Sequence, residues 1–479
     1  MEISITVLVN GSKVWEREVV VGGDDWDQGM KACVQEVGKV IPQVALTLAD
    51  AELARQVPKG WENLGREERR VLSVVGMVPV QRRVYRDEKG QRRKPLDELL
   101  GLGRYARTTR QVQGLGAYIA SYGPYRQAAR QVSWLLQEKV SVMGVLRMAW
   151  AVGEAWEKLE EGEREAIFRE GAVPAAGKVK AEILFGEADG VWIALQRERQ
   201  RRAEVRVGIL YAGKEALAPG RYALRDKVSL TALGEDSESW QEKMLALAYR
   251  HYDLGVTRQV VAGGDGTGWV RQTLARLELP LIYQLDRFHL YRAARRGPPQ
   301  ARRRLVGLVQ RGCAEGWGAI EAELRAVWGQ QEGEAQAQVG EFYRYLAHNA
   351  DGLLDYRKRL HLDEKEWQGL GAIEGNVDKL VVQRMKGRGM SWRLPGAQAM
   401  LALCRHRQEL AERVLPLAQI SPSHHPAPSP RRRARRRDAT WLSRPVPVLH
   451  NAAGRPWVQN LRRQINGDTE LSFSYPNSP

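Results

Sequence analysis

The chain has 479 residues, three cysteines and a formal net charge of +17, with a pI of about 9.8. That length supports two to four domains with at least one sizeable core, and the basic balance favours a polyanionic partner, nucleic acid being the usual one. No stretch approaches the ~20 apolar residues of a membrane-spanning helix, and Cys33, Cys313 and Cys404 are too scattered for a disulfide framework or a zinc finger, so a reduced cytoplasmic setting is expected.

Residues 1–70 read as a short strand pair, without the basic-then-apolar layout of a signal peptide, followed by helical segments with breaks at Gly22-Gly23 and Pro58-Lys59-Gly60; their role is unassigned. From Val71, SVVGMVPVQRRVYRDEKGQRRKP alternates apolar and polar residues around a turn at Asp87 to Gly90, a hairpin signal with a basic second arm. Such an arm is either a charge-protected edge or a nucleic-acid contact. Two helices follow. The first carries the small residues Ala128 and Ala129; the second is announced by Ser141 as N-cap and by Val142, Val145, Leu146 and Ala149 at helical spacing. The pair fits a helix-turn-helix, with Arg147 as the side chain placed to read base edges, or an ordinary αα-hairpin. Residues 71–160 are read as a basic hairpin and helix-turn-helix-like DNA-binding region; a charged helical segment, ~155–177, follows and ends at a linker, GAVPAAGK.

Residues 178–289 change pattern. KAEILFGEADGVWIALQ, AEVRVGILYAG and KVSLTALG read as three strands; SWQEKMLALAYRHYDL as a helix; RQVVAGGD as a strand; Thr267 to Leu277 as a short helix; and PLIYQLDRFHL as a last strand. Three strands, helix, strand, helix, strand is the layout of a ribonuclease-H-like α/β core with a mixed sheet. Residues 290–370 are Arg- and Gln/Glu-rich and read as an all-helical insertion. Residues 371–418 resume the core with a helix from about Ala372 to Met385 and another from Pro395. The tail, 419–479, is rich in Pro, Ser and Arg; from Ser421 it holds ten Arg against three acidic residues. Its cluster Arg431, Arg432, Arg433, Arg435, Arg436 and Arg437 suits non-specific phosphate binding.

Three carboxylates carry the chemistry. Asp189 stands in the first core strand, Asp265 follows the strand VVAGG among open glycines, and Glu374 opens the late helix. From those elements they can converge on a pair of divalent ions, which activate an attacking oxygen and stabilise a leaving one in phosphodiester chemistry. Two also have a plain reading: an Asp-Gly turn for Asp189, a favourable acidic residue at a helix start for Glu374. In LDRFH, His289 is either a charge-stabilising group near the scissile phosphate or a hydrogen-bonded core histidine, and Asp286 competes with Asp265 as a ligand. Arg384, Lys386 and Arg388 are placed to hold backbone phosphates. Trp392 stacks on a frayed base or belongs to the core.

Taken in order, YRDEKGQRRKPLDELLGL, YRQAARQV with KVSVMGVLRMAWAVGE, EADGVWIALQ, GGDGTGWV, LDRFHLYR and IEGNVDKLVVQRMKGRGMSW resemble bacterial insertion-sequence transposases of the ISLre type, a DDE family distantly related to the Mutator-like transposases. The resemblance runs from about Val71 to Cys404. It implies an RNase-H-like catalytic domain, strand cleavage and strand transfer at element ends, and two Mg²⁺ (or Mn²⁺) ions held by Asp189, Asp265 and Glu374. It also implies double-stranded DNA as partner, a homodimer or larger for synapsis, and a nucleoid-associated bacterial protein. The alternatives are a non-catalytic or domesticated DNA-binding protein and a structure-specific nuclease on the same fold.

Overall fold

In a computed structural model of the chain, residues 2–9, 11–20 and 26–412 are described; all belong to one of the two units into which the chain divides, Met1–Pro422. The tail arginines Arg431, Arg432, Arg433, Arg435, Arg436 and Arg437 lie outside the described residues.

An antiparallel hairpin of β1 (Glu2–Val9) and β2 (Ser12–Val20) precedes the 31-residue helix α1 (Trp26–Gln56). Then β3 (Glu62–Ser73), β4 (Gly76–Arg86) and β5 (Arg92–Arg93) form an antiparallel sheet. The strand pattern thus begins at Glu62 and not at Val71. Its first half, ENLGREERR, shows no apolar alternation because it pairs through charge, as in Glu62–Arg86 at 2.9 Å. Val71, Val78, Val80 and Leu96 bury themselves against Leu46, Ala49 and Leu53 of α1. The basic arm after the Asp87 turn is neutralised internally. Glu67 pairs with Arg92 and with Lys94 (2.8 Å), and Asp97 with Arg69 (2.7 Å) and Arg82 (3.1 Å).

The helices α2 (Pro95–Leu99), α3 (Arg110–Tyr122), α4 (Tyr125–Leu136) and α5 (Val142–Phe168) come next. Ser141 caps α5 as expected, its Oγ accepting the Gly144 amide at 3.0 Å. Nothing breaks the chain after Trp156, so the second predicted helix and the charged segment beyond it form one rod. Gly153 lets another helix cross it closely: a Cβ there would sit 2.3 Å from the Ala399 carbonyl oxygen.

The central sheet is built from β6 (Ile183–Ala194), β7 (Arg202–Tyr211), β10 (Val228–Leu233), β11 (Gln259–Gly264) and β12 (Leu281–Leu285), with a small hairpin, β8 (Gly213–Ala218) and β9 (Arg221–Arg225), inserted before β10. The strand order is β10-β7-β6-β11-β12; β6 pairs antiparallel with β7 and parallel with β11, so the sheet is mixed. Helices α6 (Ser237–His251) and α7 (Gly268–Ala275) cover one face, together with α8 (Arg287–Arg296), α9 (Pro299–Glu315), α10 (Glu321–Gly329) and α11 (Gly333–His348) of the helical insertion. The insertion ends in α12 (Tyr356–Arg359). The other face packs against α3–α5, α13 (Ile373–Val377), the π-helix Asp378–Lys386 and α14 (Leu394–Arg405), which α15 (Arg407–Glu412) follows. Val112, Ala128, Val145 and Val152 share one apolar core with Val191, Ile193, Val205 and Met400, so the helical region and the sheet are packed as one body. Among the described residues no helix is long and apolar enough to cross a membrane.

A buried charge cluster locks α5 to α14. Arg405 donates to Glu160 at 2.5 Å and to the Thr231 carbonyl on β10 at 2.9 Å, while His406 meets Glu160 at 2.9 Å and stacks on Trp156 at 3.8 Å. Burial opposes ionisation of Glu160, but the Arg405 charge and the His406 hydrogen bond outweigh it and hold the carboxyl at about 2, below its usual 4.5. A depressed folded-state value stabilises the fold above the unfolded value and loses that contribution as pH falls through the folded one. Glu160→Gln should therefore cost about 3–5 kcal/mol near neutral pH, as for removal of one partner of a buried ion pair. In denaturant melts the gap from the unsubstituted chain should close between pH 4.5 and about 2; a pH-independent gap would contradict this.

Candidate functional site

The site grows from strand register. Gly263 on β11 lies opposite Glu187 on β6, and Gly264 opposite Leu285 on β12. Continuing both pairings places Asp189, Asp265 and Asp286 in one row across three adjacent strands. Side chains alternate along a strand, and Phe185, Val191 and Ile193 face the α13 side. Asp189 therefore points to that face as well.

Each acid is held locally. The Asp189 carboxylate accepts its neighbour Gly190's amide at 2.7 Å. Asp265 accepts the Thr267 amide at 2.9 Å and its carbonyl accepts the Tyr345 hydroxyl at 2.8 Å. Gly266, at φ +99°, turns the chain and donates to the Tyr283 hydroxyl at 2.9 Å. Asp286, 6% exposed, caps α8: Oδ1 accepts the Phe288 amide at 3.0 Å and Oδ2 meets His289 Nδ1 at 3.1 Å. The last strand consequently stops at Leu285 instead of running through LDRFHL, because the Asp286 cap starts a helix that carries His289 in its first turn.

The four groups act on one another. Burial pushes the Asp189 carboxyl above the usual range; the Gly190 amide and a charged His289 pull it down, and Asp265 and Asp286 push it further up. The hydrogen bond to Asp286 raises His289 against burial, and the charges of Asp189, Asp286 and Asp265 add to it. The cluster is thus a concentration of negative charge balanced in part by one imidazole.

Glu374 is exposed in the first turn of α13, on the same side of the sheet as Asp189. What holds α13 there is Glu187, buried two residues before Asp189. Its Oε1 accepts the Tyr211 hydroxyl at 2.6 Å, and its Oε2 accepts the amides of Gly371 and Ala372 at 2.9 Å and of Ile373 at 3.3 Å. The structure brings Asp189, Asp265, Asp286 and His289 together and sets Glu374 over the same face. Among the described residues no three His, Cys, Asp or Glu side chains form a group that would hold a metal ion as they stand. Glu187 went unrecognised in the sequence, although an acid inside an otherwise apolar strand signals a buried, bonded carboxylate.

Arg384 is not a phosphate contact. It is 2% exposed, its guanidinium lies between the rings of Tyr125 (5.2 Å) and Trp392 (4.9 Å), and its Nε donates to the Ala120 carbonyl at 2.7 Å. The π-helix winds more widely than an α-helix and turns this position inward. Trp392 is core, its indole donating to the Met385 carbonyl at 2.9 Å. Lys386 and Arg147 are exposed; the Arg388 side chain lies outside the described residues.

Residues 24–413 match the model of an uncharacterised protein family, UPF0236. The chain belongs to that family. A UPF0236 protein of Streptococcus gallolyticus, described as lying in the vanSb 3′ region, is 24% identical over 354 residues, covering 72% of this chain and 74% of the relative. The UPF0236 match takes in α1 and β3 as well as the sheet, so it starts well before Val71.

Replacing the Arg384 side chain should act on this family fold and not on ligand binding. Arg384→Ala leaves the Ala120 carbonyl unpaired and should lower stability by about 1–3 kcal/mol, read by chemical denaturation. An Arg384→Ala chain as stable as the unsubstituted one would contradict the buried role.

Proposed function

We propose that this UPF0236 chain is a DDE transposase, a divalent-metal-dependent enzyme that cuts DNA at the ends of an insertion sequence and joins the freed 3′-hydroxyl to target DNA. The observation that carries the reading is the row of Asp189, Asp265 and Asp286 on the first, fourth and fifth strands of a mixed sheet. An order of third, second, first, fourth, fifth, antiparallel on one side and parallel on the other, is the arrangement a ribonuclease-H-like core calls for. Ligands of open α/β sheets sit beyond the carboxyl ends of the parallel strands, where Asp265 and Asp286 lie.

The chemistry of the donors suits Mg²⁺ or Mn²⁺. The donors are all oxygens, as hard divalent cations require, and the upward push of Asp265 and Asp286 on Asp189 marks negative charge that a cation would relieve. When bound, a pair of ions supplies the activation of the attacking oxygen and the neutralisation of the leaving one. Asp189 and Asp265 would hold them, and Glu374 would complete the set from α13. Asp286 has both oxygens engaged, by Phe288 and His289, and acts by orienting His289. A protonated His289, favoured by three neighbouring carboxylates, would face a phosphate oxygen. The α4–α5 pair, with exposed Arg147 near the start of α5, serves as the helix-turn-helix that reads element ends. Lys386 and the arginine tail add phosphate contacts. Synapsis of two ends calls for a dimer or larger, and the nucleoid is the place of work.

A second reading is a DNA-binding protein without catalysis: among the described residues no three His, Cys, Asp or Glu side chains form a group that would hold a metal ion as they stand. Cleavage of a labelled duplex carrying an element end in Mg²⁺ separates the two. Asp189→Asn, Asp265→Asn and Glu374→Gln should each reduce cleavage roughly 100-fold or more, and Asp286→Asn roughly 10- to 100-fold as an orienting partner. DNA affinity should hold in all four. Full activity in any of the first three removes that residue from the site, and no cleavage by the unsubstituted chain leaves the non-catalytic reading.

A further inference from the structure

The α13 side of the sheet also carries a cavity of about 260 Å³, lined by Phe185, Tyr211, Lys214, Arg225, Tyr356 and Trp367, with Glu366 and Gln368 beside them. Its inner wall is aromatic. Phe185 stacks on Tyr211 (5.2 Å, 12°), Tyr356 meets Phe185 edge-on at 5.5 Å, and Trp367 tilts toward Phe185 at 6.2 Å. Phe185, Tyr211 and Tyr356 are buried, whereas Trp367 is half-buried. Its mouth is charged: Arg225 and Glu366 are exposed, and Lys214 is half-buried. Lys214 donates to the Gly369 carbonyl at 2.5 Å and Arg225 to the Ala212 carbonyl at 2.8 Å. Arginine and lysine carry five and three N–H donors, so each retains capacity for an anion.

A half-buried indole over a closed aromatic floor, two cations at the rim and an amide and a carboxylate alongside suit a nucleotide. The accessible Trp367 ring can stack a base, cations take its phosphate, and Gln and Glu side chains pair with base edges. The volume lies just below the ~300–1,000 Å³ of ligand pockets, which limits the occupant to a single base. Phe185 and Asp189 share a strand face four residues apart, ~13 Å at strand rise. That is three or four nucleotides at the ~3.4 Å spacing of stacked DNA.

Resting on the DNA-processing reading above, we infer that this cavity receives one unstacked base of the DNA strand being cut, with its phosphate on Arg225 and Lys214. Occupancy fixes the segment from Glu366 to Gln368, six residues before Glu374. Tyr211, which lines the cavity, also donates to the Glu187 carboxylate that anchors α13. The base pocket and the acid on α13 are therefore coupled through shared residues.

The test uses the full chain without divalent metal, so it does not depend on cleavage. Dye-labelled single-stranded hexanucleotides carrying one 2-aminopurine report stacking by emission and binding by anisotropy; 2-aminopurine deoxynucleoside monophosphate is the second probe. The expected result is quenching of the strand-borne base, reduced roughly fivefold or more in Trp367→Ala and weakened in Arg225→Ala, with anisotropy still reporting a bound strand. Arg225 is exposed, so its variant stays informative should Trp367→Ala fail to fold. Equal quenching of the free monophosphate at the same concentration would overturn the strand-borne occupant in favour of a free nucleotide. Quenching unchanged in both variants, or no quenching of a bound strand, would overturn the pocket. Either failure leaves the metal-dependent cleavage result untouched, and loss of cleavage leaves this one untouched.

Discussion

The Glu187 carboxylate, 2% exposed in the central strand, is the interaction on which the site's architecture depends. A buried acid is costly unless its oxygens are bonded, and here they accept one hydroxyl and three amides. Burial pushes the carboxyl up, while Tyr211, Lys214 and the amides favour its charged form. The amides belong to the start of α13, where the helix dipole also favours an anion. One side chain thus fixes where the late helix meets the sheet, and with it the side of the sheet on which Glu374 lies. Gly263 makes this possible: a Cβ there would lie 3.1 Å from Glu187 Cγ and 3.0 Å from Leu370.

The rest of the site follows from β6 and β11 running parallel and in register. Once Gly263 pairs with Glu187, the aspartates two positions on must be neighbours, and the parallel partner β12 brings Asp286 into the same row. Charge elsewhere is arranged differently. The arginines near β4 and β5 are tied to Glu67 and Asp97, and Arg405 is tied to Glu160. Net positive charge is therefore a poor guide to which cations face a ligand. Arg147 and Lys386 are exposed, whereas Arg384 lies between two rings.

Much of the sheet was legible because its strands are apolar runs ended by Gly or Asp: VVAGGD and LIYQLD name both strand and acid. The Ser141 cap and the small residues of α4 were legible for the same local reasons. What escaped was set by tertiary partners. The β8–β9 hairpin, GKEALAPGRYALR, has no clean alternation because it lies mostly exposed. The early part of β3 is held by charge pairs that no periodicity reveals. Arg384 was misread because the π-helix changes the helical period over Asp378–Lys386. His289 was read as part of the last strand; the cap that puts it in the first turn of α8 needs the Asp286 side chain to be seen.

The proposed divalent-cation site is formed by Asp189 and Asp265 of the carboxylate row, with Glu374 on the same face. The most direct measurement is uptake of Mn²⁺ by the purified full-length chain, followed as loss of the free-ion electron paramagnetic resonance signal during titration. The account predicts saturable uptake at the row that is lost or severely weakened in Asp189→Asn and Asp265→Asn, with both variants folded. A wild-type chain that leaves the free-ion signal intact, or one whose uptake is the same after Asp189→Asn, would contradict it.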